Sequence, residues 1–314
     1  MDNRIAFGDS YTYVQGTHGR QNYSFIGDAF DPGFTKSELL SNRIVQNQTA
    51  TAEGGPNWVE YLTGCGLPPG LTDPRTCSKQ LWDFAFAGAD VSTEYTPLHH
   101  NFTLSLVNQT RQFCEYAEPV LQTFVEKDKT LVAFWIGIND IGDSDEFDVD
   151  FYTFYDQLMQ TLFAAVQSVY DLGYRKFLFM NLPPLNRTPG NVARAAGPLP
   201  NVTMVDWYNQ ALYNHSVMFR ESNRGAWARV FDANTFLNGI MDHHAQYGIS
   251  NITGYCKSSM TTVSEKAGWK VDERLIPGLI ACRCFLRPAV HQYGSCAIWM
   301  LTAARVLVSR RLVF

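Results

Sequence analysis

Charged residues are scarce in this sequence, 18% of 314 residues, and neither sign dominates: 25 Lys and Arg stand against 30 Asp and Glu, a formal charge of −5. Binding to nucleic acid or to an anionic membrane surface rests on a basic excess. Its absence, with a pI of about 5.8, argues against both partners and for a neutral or weakly polar small substrate. Uninterrupted long apolar runs are also missing. The nearest, Cys296–Phe314, is broken by Arg305, Arg310 and Arg311, too interrupted for a membrane span, and there is no amphipathic basic helix of the surface-seeking kind. Internal repeats and Pro/Ser-rich linkers are absent, so one domain is expected. The pair Cys282 and Cys284 is too tight for zinc spacing and has no second ligand pair; no metal and no cofactor is expected. Nor does an apolar leader precede Arg4–Phe7.

Asparagine sequons are plentiful. Eight Asn-x-Ser/Thr sites start at Asn22, Asn47, Asn101, Asn108, Asn186, Asn201, Asn214 and Asn251. Eight are hard to reconcile with a chain that never meets the secretory pathway, so a secreted protein lacking its leader here is expected, an intracellular one being the alternative. Seven cysteines leave at least one thiol unpaired. Cys65 and Cys77 flank a Gly/Pro-rich loop and suit a local disulfide.

Short apolar runs alternate with helical periods. Strands are expected at Arg4–Phe7, Leu81–Ala87, Thr130–Ile136, Lys176–Met180 and Arg229–Phe231. Between them, Asn57–Leu62, Leu104–Val125, Asp150–Leu172 and Thr203–Arg220 show helical spacing, and Gly173 is a good helix stop. Continuous apolar strands separated by helices imply an α/β fold: a three-layer α/β/α sandwich around a parallel sheet. After about Cys256 the periodicity degrades. We therefore expect a catalytic domain over residues 1–256 and an aberrant or divergent tail over 257–314, part of the same domain if ordered.

In parallel α/β sheets, ligands sit at the carboxyl ends of the strands. Three strand ends carry suggestive groups: Phe7-Gly8-Asp9-Ser10, Phe86-Ala87-Gly88-Ala89-Asp90 and Ile136-Gly137-Ile138-Asn139-Asp140. A hydroxyl, a glycine N–H and a neutral amide are what acyl transfer requires: a nucleophile, and donors for the developing oxyanion. Each alone has a plainer account, a turn for Gly-Asp-Ser, a strand stop for Gly88 and a helix cap for Asn139-Asp140. Ordered together, the stretches FGDSYT, GGPNWVEYL, LWDFAFAGAD, FWIGINDIG and FMNLPPL resemble the SGNH (GDSL) hydrolases. More narrowly, they resemble fungal secreted esterases of carbohydrate esterase family sixteen, over roughly residues 5–255. The resemblance implies Ser10 as nucleophile and oxyanion donor through its N–H. Gly88 N–H and the Asn139 side chain would be further donors. It also implies metal-free deacylation of acetylated sugars or oligosaccharides.

The family's histidine base lies near the C-terminus, three residues after an Asp, and that block is not found. His291 is the nearest candidate, but Pro288 stands where the acid should be. His243 and His244 follow Asp242 directly, and His99, His100 and His215 fall in or beside helical segments, where a surface or core role is the plainer expectation. Either His291 is a degenerate base, or activity is lost, or the segment after Cys256 is not the natural product, as a retained intron or frameshift would give. The lost periodicity, odd cysteine count and missing leader favour the last. Two other readings stand beside the esterase: a catalytically silent glycan-binding protein on the same fold, and a lipid or lysophospholipid esterase. Tyr11, Tyr13, Trp58, Tyr95 and Trp135 are candidates either for a sugar groove or for the core.

Overall fold

The structure, a computed structural model, describes residues 1–253 apart from 28–34, 48–49, 53, 248 and 250. His291, Cys256, Cys282, Cys284, Cys296 and the tail assigned to residues 257–314 lie outside the described residues.

A five-stranded sheet forms the centre. Its strands are β1 (Asn3–Gly8), β4 (Gln80–Asp83), β5 (Thr130–Trp135), β6 (Lys176–Met180) and β7 (Trp227–Phe231), in the order β4-β1-β5-β6-β7. Every pairing is parallel. Two short strands, β2 (Ile44–Gln46) and β3 (Gly70–Thr72), pair antiparallel beside it. The helices are α1 (Lys36–Ser41), α2 (Trp58–Thr63), α3 (Leu106–Gln112), α4 (Glu118–Leu121), α5 (Ile138–Asp143), α6 (Phe151–Asp171), α7 (Pro189–Val192), α8 (Val202–Ser222) and α9 (Ala233–Asp242).

All six residues of β1 and all six of β5 are buried, which requires cover on both faces of the sheet. The chain supplies it through right-handed crossovers. The step from β1 to β4 runs one way and carries α2. Every later step runs the other way, which puts α3, α6 and α8 together on the opposite face. The expected three-layer α/β/α fold is thus present. α6 shows how the cover is built: Asp150 caps its start through Thr153, and Tyr155, Leu158, Met159, Leu162, Phe163, Val166 and Val169 recur every three or four residues on its buried face. Each such side chain contributes about 1.5–3 kcal/mol of burial.

Two expected elements differ from those observed. The strand read at Leu81–Ala87 ends at Asp83, although Phe84 and Phe86 still donate N–H bonds to Ala6 and Gly8 carbonyls, at 2.7 and 3.0 Å. The helix read over Leu104–Val125 is broken into α3, a π-helical turn at Phe113–Ala117 and α4. Pro119, with no N–H to give, enters at the start of α4 and forces the break. The Cys65–Cys77 disulfide is formed, with 5.5 Å between Cα atoms, and staples the end of α2 to the segment before β4.

Reversal of crossover direction places the topological switch between β1 and β5. A crevice opens at the carboxyl ends of strands on either side of such a switch. Ser10 follows β1 by two residues, and Asn139 follows β5 by four.

Candidate active site

The turn carrying Ser10 is held by neutral amides. Gln109, fully buried on α3, grips Gly8 at both ends: Gly8 N–H donates to Oε1 at 3.1 Å and Nε2 donates to Gly8 O at 2.8 Å, with a further bond to Leu104 O at 3.0 Å. From the other side Asn57, which also caps α2, donates through Nδ2 to the Thr12 and Tyr13 carbonyls, at 2.6 and 2.8 Å. Within the turn, Asp9 Oδ1 accepts from Tyr11 N–H at 2.8 Å, and Thr12 and Tyr13 N–H bond back to Asp9 O. Ser10 itself is half-buried.

The other two motif segments meet each other. Asn139, buried in the first turn of α5, donates through Nδ2 to Ala89 O at 2.8 Å. An amide nitrogen carries two N–H groups, so one remains for a ligand. The plainer account of Asn139-Asp140 as a helix cap does not hold. Gly137 occupies the cap position with φ +112°, and a Cβ there would lie 1.9 Å from the Tyr208 hydroxyl, which donates to Ile136 O at 2.9 Å. Glycine is needed for the chain to turn from β5 into α5. Gly88 likewise has φ +78° and packs against His99, whose Cβ is 3.1 Å from where a Gly88 Cβ would sit.

Beneath this junction lies an acidic pocket. Asp140 Oδ1 accepts from Val91 N–H at 2.9 Å, fixing the chain just after Gly88. Burial pushes the Asp140 carboxyl up to about 7. Asp90, 1% exposed, is pushed to about 10 by burial and then by the charge of Asp140. Neither Asp90 oxygen has a well-directed hydrogen bond, though the Thr96 hydroxyl lies beside it. His99 Nε2 touches Asp143 Oδ2.

The remaining described histidines make contacts within the fold, His18 with Ser41 Oγ at 2.9 Å. His215 bonds Asp156 at 2.7 Å and stacks on Phe163. His100 stacks on Phe102, and burial lowers its basicity. His243 Nδ1 lies 3.0 Å from Gly239 O and His244 Nδ1 2.6 Å from Ile249 O, both at the end of α9. Like His100, His99 lies in the loop between β4 and α3 rather than in a helix, but its Cβ is wedged against Gly88. Of the aromatic candidates for a sugar groove, Tyr11, Tyr13, Trp58 and Trp135 are core, each 5% exposed or less. Tyr11 and Trp58 both pack edge-on against Trp135 beneath the site. Tyr95 is partly buried, its hydroxyl 2.8 Å from that of Thr161.

Sequence reading missed Gln109 and the His99–Asp143 contact. Asp143 had a faint signal, three residues past Asp140 on one helical face. Gln109 and His99 had none, because their partners are distant in the chain.

A strand-end serine, a glycine loop and a buried asparagine lie at one switch point, and most of the chain matches a known family. The chain belongs to the GDSL-like lipase/acylhydrolase family, which matches residues 5–266, and is a carboxylic ester hydrolase. It is 28% identical over 257 residues to an acetylesterase of Thermothelomyces thermophilus, spanning 80% of this chain and 77% of that one. Among solved structures it is similar to a lipolytic protein of the G-D-S-L family from Veillonella parvula DSM 2008. That match has 14% identity and a TM-score of 0.37, over 79% of this chain and 86% of the other. Among the described residues, no helix is long and apolar enough to cross a membrane.

Proposed function

We propose that this esterase removes acetyl or other short acyl groups from carbohydrate, with Ser10 as nucleophile. The observation that carries the proposal is the Asn139 Nδ2 bond to Ala89 O. It locks the Gly88 and Asn139 segments into one donor wall beside the crevice that Ser10 enters. Ser10 Oγ attacks the ester carbonyl carbon and gives its proton to a histidine. The carbonyl oxygen becomes the oxyanion, received by Ser10 N–H, Gly88 N–H and the spare N–H of Asn139. Collapse expels the sugar hydroxyl, which takes the proton back, and water then repeats the sequence on the acyl-enzyme to release acetate. For the base, His291 is the first candidate. The similarity to an acetylesterase supports a short acyl group.

The test is hydrolysis of p-nitrophenyl acetate and of an acetylated oligosaccharide by wild type and Ser10→Ala. Loss of at least three powers of ten in kcat for Ser10→Ala is expected. Equal turnover by both would remove Ser10 from the mechanism, and turnover of the probe but not the oligosaccharide would remove the carbohydrate assignment.

We also propose that the chain is secreted and N-glycosylated, since Asn22, Asn47, Asn101, Asn201 and Asn214 are exposed. A mass decrease on endoglycosidase treatment of protein from a eukaryotic secretory host is the expected result.

A further inference from the structure

We propose that Asp90, His99 and Asp143 form a divalent-cation site, with Zn²⁺ the ion of choice, on the flank of the oxyanion wall. One ligand atom from each of the three lies within 4.8 Å of the others. His99 Nε2 and Asp143 Oδ2 are already in contact, yet Nε2 makes no well-directed hydrogen bond. Asp90 is 1% exposed, and apart from the Thr96 hydroxyl beside it neither of its oxygens has a well-directed hydrogen bond. A buried carboxylate so placed needs a cation or a donor, and no Lys or Arg pairs with any of the three among the described residues. An imidazole between carboxylates is a donor set for Zn²⁺ rather than for Ca²⁺ or Mg²⁺. Three protein ligands leave a fourth position for water. Entry is from the Asp143 side, whose side chain is 21% exposed. Asp90 and His99 come from the loop between β4 and α3 and Asp143 from the end of α5, so the ion would tie that loop to the helix. His99 rests on Gly88, so the ion would brace the oxyanion loop without touching substrate. The inference stands whether or not Ser10 is the nucleophile, because it is read without substrate.

The experiment is calorimetric titration of the chelator-stripped full chain with Zn²⁺ near neutral pH, where the carboxylates can exchange a proton for the ion. The expected result is a stoichiometric site that is at least tenfold weaker in Asp90→Asn and in His99→Ala and unchanged in a His243→Ala/His244→Ala control. Zn²⁺ at a hundredfold excess over Kd should also raise the wild-type Tm by about 5 °C, and that rise should vanish in the two variants. Should His99→Ala not fold, as judged by near-UV circular dichroism, Asp143→Asn takes its place. No uptake by wild type, or uptake and Tm shift unaltered in the variants, overturns the site.

Discussion

The two flanks of the crevice are braced by different groups. On the Ser10 side, Gln109 and Asn57 are neutral amides whose bonds to backbone are well formed on every side. On the Gly88–Asn139 side, Asp140 holds the backbone at Val91 N–H, and Asp90 and Asp143 crowd nearby with one imidazole. A satisfied amide has a single state over the whole working pH range, so the braces that Gln109 and Asn57 give the Ser10 turn do not change with pH. Buried carboxyls change state with a proton or a cation, so the donor wall can be tuned. Under the proposed mechanism, uncharged amides brace the group that attacks and carboxyls brace the groups that would receive the oxyanion.

The comparison can be sharpened by substitution. Asn139→Ala should show the largest effect and show it in kinetics. A lost oxyanion donor lowers kcat about 10²–10³-fold, while stability falls by only about 1 kcal/mol for the bond to Ala89 O. Steady-state rates beside urea unfolding would separate the two; equal losses in both would make Asn139 structural. Gln109→Ala should reverse the pattern. It removes the bonds to Gly8 and Leu104 and orphans a buried N–H, an expected loss of about 2–3 kcal/mol in urea denaturation. A rate loss without destabilisation would break the idea that this flank is scaffolding.

The smallest effect is expected at Asp83, at the end of β4. Burial drives its carboxyl well above the ordinary value of 3.8, although Ala85 N–H bonds to Oδ1 at 2.8 Å. The folded chain therefore holds a proton that the unfolded chain releases. The stability this contributes is complete below about pH 4 and is lost as pH rises through the folded-state pKa. Asp83→Asn keeps the acceptor and removes the titration. It should gain on wild type as pH rises, by on the order of 1 kcal/mol in alkaline solution. Parallel unfolding curves for the two across pH would contradict this.

Much of this was legible in the chain. Continuous apolar runs such as Thr130–Ile136 suit strands buried on both faces, and the alternation of such runs with helical periods implies a parallel sheet. Ser10, Gly88 and Asn139 could be picked out because each follows a strand within a few residues, a local relation. The sheet ending at Asp83, and the interruption of the Leu104–Val125 helix, show where local pattern gives way to what neighbouring chain offers. The aromatic residues show the same limit: the sequence marks Tyr11, Trp58 and Trp135 as aromatic, but only packing puts all three beneath the site instead of in a groove.

The sequence by itself determined the fold class, the order of the strands along the chain and the residue types at three strand ends, because hydrophobic period and turn chemistry act over a few residues. Tertiary structure alone decided which strand lies beside which, that Gln109 reaches back 101 positions to hold Gly8, and that His99 meets Asp143. Those contacts depend on crossover direction and helix placement, which the folded chain settles as a whole and which no short stretch of sequence encodes.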